Sequence, residues 1–254
     1  GNVYMLEGSG GNIGVFVGVD GVFIVDDQFA PLTEKIVAEI RKLSDGKIRF
    51  LINTHMHPDH VGGNENLGEM GALIVAHDTV RSRMAEGIYS FISKKRGDPA
   101  PAIALPTVTY SQDVSFHLNG EQVHVFHVSP AHTDGDSFVH FKGSNVLHLG
   151  DVFGTSGYPV IDVPNGGRFA GVIDAIERAI KLAGPNTRII PGHGEISDID
   201  DLLEVRDMLV IVRDRIQKLV DDGKDLEAVL AAAPTAEYDA RWGQGFMPAS
   251  FFIE

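Results

Sequence analysis

Apolar residues come in short runs over the first part of the chain, where NVYML (2–6), IGVFVGV (13–19) and VFIVDD (22–27) read as strands. Asp20-Gly21 between the last two is a hairpin signal, so the chain opens as a β-meander. The period then changes. Pro31 starts a segment with Leu32, Ile36, Ile40 and Leu43 at helical spacing, and Gly46 follows its end. IRFLIN (48–53) is a buried strand, followed by a helical stretch from about Val61, a strand ALIVA (72–76) and a second helical stretch from Asp78. Beyond the Pro- and Ala-rich run DPAPAIALP (98–106), the alternating segments DVSFHL (113–118) and EQVHVFHV (121–128) meet at Asn119-Gly120, a second hairpin. SFVHFK (137–142) turns at Gly143-Ser144-Asn145 into NVLHLGD (145–151). A helix GVIDAIERAIKLA (171–183), a strand TRIIPG (187–192) and a helix near 198–222 complete the body. In that last helix Leu202, Val205, Leu209, Val212, Ile216, Leu219 and Val220 share one face, as core packing requires. No repeat appears and no linker divides the chain, so the expectation is one α/β domain over residues 1–254, with about 197–254 a helical extension of it.

Composition narrows the partners. The chain has 254 residues, 43% hydrophobic, enough for one large core, and a formal charge of −14 from 35 acidic against 21 basic side chains. Such a balance repels a phosphate backbone, and Lys94-Lys95-Arg96 is the one short basic run, so nucleic acid is not an expected partner. The longest apolar runs, such as MLVIV (208–212), fall far short of the roughly 18 residues a membrane helix needs, and a membrane is not expected either. Absence of cysteine excludes disulfides, thiolate nucleophiles and thiolate ligands. A small-molecule substrate remains, with the oligomeric state open. The opening GNVYML has no basic segment followed by an apolar one, which fits a mature or trimmed form.

The chemistry concentrates in NTHMHPDHVGGN (53–64), where His55, His57, Asp59 and His60 crowd six positions just after a strand. Three further candidates follow apolar strands: His132 in SPAHTDGDS, Asp151 in LHLGDVF and His193 in IIPGHGE. Imidazole and carboxylate are the natural zinc ligands when cysteine is lacking, and these groups are too many for one tetrahedral ion. They suit two ions sharing a carboxylate and a water. His77, His117, His124, His127, His140 and His148 read as structural, Asp134 and Asp136 as loop caps, and Gly62, Gly63, Gly192 and Gly194 as permissive backbone beside the ligands. GSGGNIG (8–14) is a turn, since its glycines miss the phosphate-loop spacing, and GTSGY (154–158) lacks the final glycine of a serine-nucleophile elbow.

The run H-x-H-x-D-H at 55–60, followed in order by His132, Asp151 and His193, resembles the metallo-β-lactamase superfamily from the first strands to about residue 196. The resemblance implies a four-layer αββα sandwich with the site along one edge of the two sheets. It implies two Zn2+ per chain: His55, His57 and His132 on the first, Asp59, His60 and His193 on the second, and Asp151 bridging. It also implies a metal-bound hydroxide as nucleophile, oriented by Asp59 as the catalytic side chain, a buried Asp26 that orients the histidine loop, and a periplasmic or secreted location. HTDGDS around His132 and PNGGRFAGVIDAI (164–176) are similar to class B β-lactamases, which favours hydrolysis of a cyclic amide. Two departures weigh against it: Asp151 stands where cysteine is common, and Gly154 stands where a lysine would grip the substrate carboxylate. Lys94, Lys95, Arg96, Arg168 and Arg241 are candidate replacements. Thioester hydrolysis of the glyoxalase II kind shares the bridging aspartate, although the acidic tail DDGKDLEAVLAAAPTAEYD (221–239) lacks that family's basic groups. Lactone hydrolysis is a third expectation, and a metal-binding module without turnover a fourth. His57 stands where related diiron oxidoreductases carry glutamate, which favours zinc. The loop from Gly87 to Pro106 and the aromatic tail YDARWGQGFMPASFF (238–252) are either covers for the site or packing over the body's own apolar surface, the plainer expectation.

Overall fold

The computed structural model describes residues 1–254. The opening meander is β1 (Val3–Leu6), β2 (Ile13–Gly18) and β3 (Gly21–Val25), followed by helix α1 (Thr33–Leu43) and β4 (Ile48–Ile52). Two short helices, α2 (Pro58–Val61) and α3 (Asn64–Glu69), lead to β5 (Leu73–His77) and α4 (Asp78–Glu86). A small hairpin of β6 (Tyr89–Ser90) and β7 (Lys95–Arg96) precedes β8 (Val108–Tyr110). The first sheet has the order β1-β2-β3-β4-β5-β8, parallel from β3 onward. The second sheet takes β9 (Asp113–Leu118), β10 (Glu121–His127), β11 (Ser137–Phe141) and β12 (Val146–His148), then, after helix α5 (Phe169–Leu182), β13 (Arg188–Ile190). Its order is β13-β12-β11-β10-β9, with β12 and β13 parallel. Helices α6 (Ile199–Asp221), α7 (Leu226–Ala231), α8 (Asp239–Trp242) and α9 (Ala249–Ile253) complete the chain.

Alternation along the strands builds the expected four layers, because side chains of a strand point to opposite faces and both faces here are apolar. Phe16, Phe23 and Val25 of the first sheet meet Val123, Val125, Val139 and Phe141 of the second in a core between the sheets. The intervening residues Ile13, Val15, Val17, Val22 and Ile24 face outward onto Ile36, Val37 and Ile40 of α1. On the far side Phe126, Phe138, Leu147 and Ile189 pack under α5 and α6, against Val172, Ile176, Leu202, Val205 and Leu209. The apolar stripe of α6 is buried to Val212 and only half-buried at Ile216 and Leu219, while Val220 is exposed.

The differences from the sequence expectation are local. The helix expected from about Val61 is split, because Gly62 and Gly63 end α2 and the Gly63 N–H donates to Asp27 Oδ1 at 2.9 Å. β12 is shorter than residues 145–151, since Gly150 takes a left-handed φ of 52° and turns the chain into a 3-10 segment that carries Asp151. The tail packs on the body through Trp242, Met247 and Phe252, which join the core under α5 and α6.

Gly171, buried in the first turn of α5, lets the helix rest on the 130–132 segment: a Cβ there would overlap the Pro130 carbonyl oxygen. An internal helical Gly→Ala change ordinarily stabilises by about 0.5–1 kcal/mol. Here the clash reverses the sign. Gly171→Ala is expected to lower the urea midpoint of the protein, and a raised midpoint would show that α5 does not need this close approach.

Candidate metal centre

The histidine loop leaves β4 and is held from below by Asp26. Asp26 itself sits at φ 61°, a left-handed conformation that a non-glycine residue adopts at a cost, and its side chain is fully buried. Its Oδ1 accepts the Thr54 N–H at 2.7 Å, and its Oδ2 accepts the Thr54 hydroxyl at 2.7 Å and His60 Nδ1 at 2.7 Å. Pro58 then starts α2 at the position where its fixed φ suits a helix, placing Asp59 and His60 in the first turn after His57.

The neighbours of each histidine fix which nitrogen is free. His60 Nδ1–H donates to Asp26, so its Nε2 is the nitrogen turned toward Asp151. His132 Nδ1–H donates to the Val160 carbonyl at 2.7 Å, and His57 Nε2–H to Asp162 Oδ2 at 2.8 Å. That leaves His132 Nε2 and His57 Nδ1, the nitrogens not used by these bonds, facing each other at 2.8 Å. The Thr54 hydroxyl, already donating to Asp26, accepts from His55 Nδ1 at 3.0 Å, and His55 Nε2 is buried without a partner. Converging lone pairs of this kind are the donor arrangement of a cation site.

Two groups result. Ligand atoms of His55, His57, His132 and Asp151 lie within 4.8 Å of one another, and so do those of Asp59, His60 and His193. Asp151 reaches both: its Oδ2 is 3.8 Å from His55 Nε2, 3.7 Å from His132 Nε2 and 3.4 Å from His193 Nε2, and its Oδ1 is 3.0 Å from His60 Nε2. That Oδ1 is buried and not aligned for a hydrogen bond. Gly192 makes this possible, since a Cβ there would overlap Asp151 Oδ1. The structure therefore brings together all seven residues singled out in the sequence, as a group of four and a group of three that could each hold a metal ion.

The remaining candidates fall outside these groups. His77 and His127 stack at 3.8 Å beside Tyr110, and His148 bonds the Asn12 carbonyl. Asp136 caps the His132 loop through the Thr133 N–H at 2.8 Å and the Thr133 hydroxyl at 2.5 Å, while Asp134 pairs with Arg83. Asp162 escaped the sequence reading. It caps a turn at Asn165, which is how its local sequence reads, and its bond to His57 spans 105 positions.

Charge divides the two groups. Burial holds the His55 pKa well below the ordinary histidine value, and burial with the neighbouring His57 pulls His132 down to about 4. Both are neutral at pH 7, ready to donate. Burial also opposes charge on His60 and His193, but for His60 Asp151 and Asp26 outweigh it and hold the pKa well above the ordinary value. Hydrogen bonds to Asp151 and Asp59 bring His193 to about 9. Asp151, despite burial, is held well below the usual carboxylate range by the charge on His60 and the hydrogen bond from His193.

The two groups open on a cleft of about 840 Å³. The β6–β7 hairpin and the tail form part of its rim through Phe91, Ile92 and Phe246, so the tail both packs on the body and borders the site. Of the five candidate cations, Lys95 and Arg96 line this cleft. Arg241 pairs with Glu204 elsewhere. Gly154 also lines it, and a Cβ there would meet only the His193 carbonyl oxygen at 3.5 Å.

Residues 6–193 match the family model of the metallo-beta-lactamase superfamily. The metallo-beta-lactamase type 2 of Bacillus cereus is 26% identical over 198 residues, 74% of this chain and 69% of that protein. The hydroxyacylglutathione hydrolase of Pelagibacter ubique (strain HTCC1062) is 27% identical over 157 residues, 61% of this chain and 56% of that protein, so the match spans little more than half of it. The crystal structure of the BLEG-1 B3 metallo-beta-lactamase superposes with a TM-score of 0.66 at 20% identity, covering 78% of this chain and 94% of that one. The chain belongs to the metallo-beta-lactamase superfamily, whose members are metal-dependent hydrolases.

An ion entering the second group must displace the protons on His60 and His193, whereas His55 and His132 have none to lose. Protonated imidazole cannot ligate, so affinity there falls as pH drops below the folded pKa. Calorimetric zinc titration at about pH 6.5 and 8.5 is expected to show one binding event that is strongly weakened at the lower pH and releases protons, and another weakened less. Two events with the same pH dependence would contradict this division.

Proposed function

We propose that the chain is a dinuclear zinc hydrolase acting on cyclic amides of the β-lactam type. The observation that carries the reading is the pair of ligand groups sharing Asp151, with His55 Nε2 buried and unpartnered and His57 Nδ1 and His132 Nε2 within 4.8 Å of it. Neutral imidazoles beside an ionised carboxylate are the donor set zinc prefers in the absence of thiolate. His55, His57 and His132 would hold one ion, Asp59, His60 and His193 the other, and Asp151 would touch both. When bound, two such ions acidify water and polarise the bond to be broken. Asp59 has the catalytic role among the side chains. Its carboxyl is held below the usual range by the His193 hydrogen bond and by His60, in spite of burial, so Oδ2 is ionised at neutral pH and can take the hydrogen of an attacking water. His60 and His193 fix that carboxylate, with Asp59 Oδ2 3.3 Å from His193 Nε2 and 3.8 Å from His60 Nε2.

The β-lactam reading is supported by the Bacillus cereus relative. A second reading, thioester hydrolysis, is supported by the aspartate at position 151 and by the Pelagibacter relative, a hydroxyacylglutathione hydrolase. The missing ammonium at Gly154 bears on affinity more than on chemistry, because carboxylate anchoring belongs to side chains and bond cleavage to the metal groups. Lys95 lines the cleft and is the cation available there for an anionic substrate, since Arg96 is engaged by the Gly87 carbonyl.

The zinc-loaded protein is expected to hydrolyse nitrocefin with a high KM. No turnover of nitrocefin or a carbapenem above free zinc, together with ready cleavage of a thioester or lactone, would put the second reading in place of the first. Gly154→Lys is expected to lower KM for a β-lactam carboxylate about tenfold, the worth of a charge-assisted contact of about 1.5 kcal/mol. Asp151→Ala is expected to weaken the second ion more than the first, since His55, His57 and His132 remain a complete set. Metal titration showing both ions lost equally, or neither, would overturn the assignment.

A further inference from the structure

The cleft carries a feature that the ligand groups do not use. Phe91, at the tip of the β6–β7 hairpin, has its ring centroid 6.5 Å from that of His57. Phe246, in the segment between α8 and α9, meets Phe91 edge-on at 6.5 Å and 82°. Both line the cleft, with Ile92 beside Phe91. Ile92 is 68% exposed and Phe246 69%, a high exposure for large apolar side chains that face a concave site.

The placement of this patch is fixed from both sides. Asn165 Nδ2 donates to the Tyr89 carbonyl at 2.7 Å and to Asp162 Oδ2 at 2.6 Å, and Asp162 in turn receives His57 Nε2–H at 2.8 Å. One amide therefore ties the hairpin that carries Phe91 to the aspartate that orients a ligand histidine. Asn165 Oδ1 also accepts from Arg83 at 3.1 Å, which anchors the amide to α4. On the other side the Tyr158 N–H donates to the Trp242 carbonyl at 3.0 Å and the Tyr158 hydroxyl to Asp239 at 2.8 Å, while Trp242 is buried in the core. Phe246 follows four residues later, held over the same cleft.

We propose that Phe91, Ile92 and Phe246 form an apolar subsite that selects substrates carrying an aryl or alkyl group next to the bond that is cleaved, on the His57 side of the site. The proposal rests on the hydrolytic reading above and deepens it by naming the substituent the site prefers. An aryl group entering the subsite covers the exposed faces of Phe246 and Ile92 and is itself removed from water. At about 25 cal/mol per Å² of apolar surface, burying a group of this size changes kcat/KM by about tenfold or more.

The test uses matched pairs in whichever class the zinc-loaded protein turns over: a phenylacetyl-bearing β-lactam against its acetyl counterpart, or the equivalent pair of thioesters. The phenylacetyl member is expected to be favoured at least about tenfold in kcat/KM, with most of the difference in KM. Phe246→Ala, at a largely exposed position, should reduce that ratio, and Phe91→Ala with Phe246→Ala should bring it close to one. Phe246→Leu should restore part of it. A ratio unchanged in the double variant overturns the subsite while leaving the hydrolytic reading intact. Absence of turnover in every class overturns the hydrolytic reading. The subsite is then judged by calorimetric binding of phenylacetate against acetate to the zinc-loaded protein: preference for phenylacetate that disappears in the double variant supports it, and equal binding in the wild type overturns it.

Discussion

The carboxylate of Asp26 is the contact on which the site depends. It satisfies the backbone and hydroxyl of Thr54 and the outer nitrogen of His60 at once, and through Thr54 it also sets the tautomer of His55. Without it the histidine loop would have buried donors with no acceptor, a cost of about 1–3 kcal/mol for each group. The strained backbone at Asp26 is the consequence: a left-handed turn at the end of β3 is what aims the side chain under the loop.

The fold supplies the other half of the arrangement by delivering strand ends to one edge. β3 and β4 are parallel in one sheet, and β12 and β13 are parallel in the other, so Asp26, the 55–60 loop, Asp151 and His193 all follow C-terminal strand ends. His132 comes from the connection between β10 and β11 and is clamped by Asp136, the Val160 carbonyl and the close seat of α5. His55, His57, His60 and His132 are thus each held by a group behind the ring, which fixes the direction of the nitrogens that face the site. Fixed donors of this kind favour one small, highly charged occupant over water, whose own hydrogens would have to satisfy several acceptors at once.

Much of this was legible in the sequence because ligands have to be near one another. His55, His57, Asp59 and His60 fall within six positions, and His132, Asp151 and His193 each follow an apolar run that reads as a strand. The burial of both faces in the first sheet was likewise readable, since Phe16 and Val25 lie in nearly unbroken apolar segments. What escaped was whatever depends on contact between distant positions. Asp162 reads as a turn residue and becomes the partner of His57 only through the fold. The β6–β7 hairpin has two residues in each strand, too few to show a period, and β8 is a three-residue strand just after a proline-rich run. The meeting of Phe91 and Phe246 leaves no local trace in either segment.

The proposed function requires seven side chains to hold two ions that share one carboxylate. X-ray absorption at the zinc edge of protein loaded with two equivalents tests it most directly. The expected spectrum has a shell of nitrogen and oxygen only, with imidazole scattering and a metal–metal distance of about 3.5–4 Å. That distance should be lost in Asp151→Ala. A spectrum with no metal–metal scattering, or one unchanged by removal of Asp151, would contradict it.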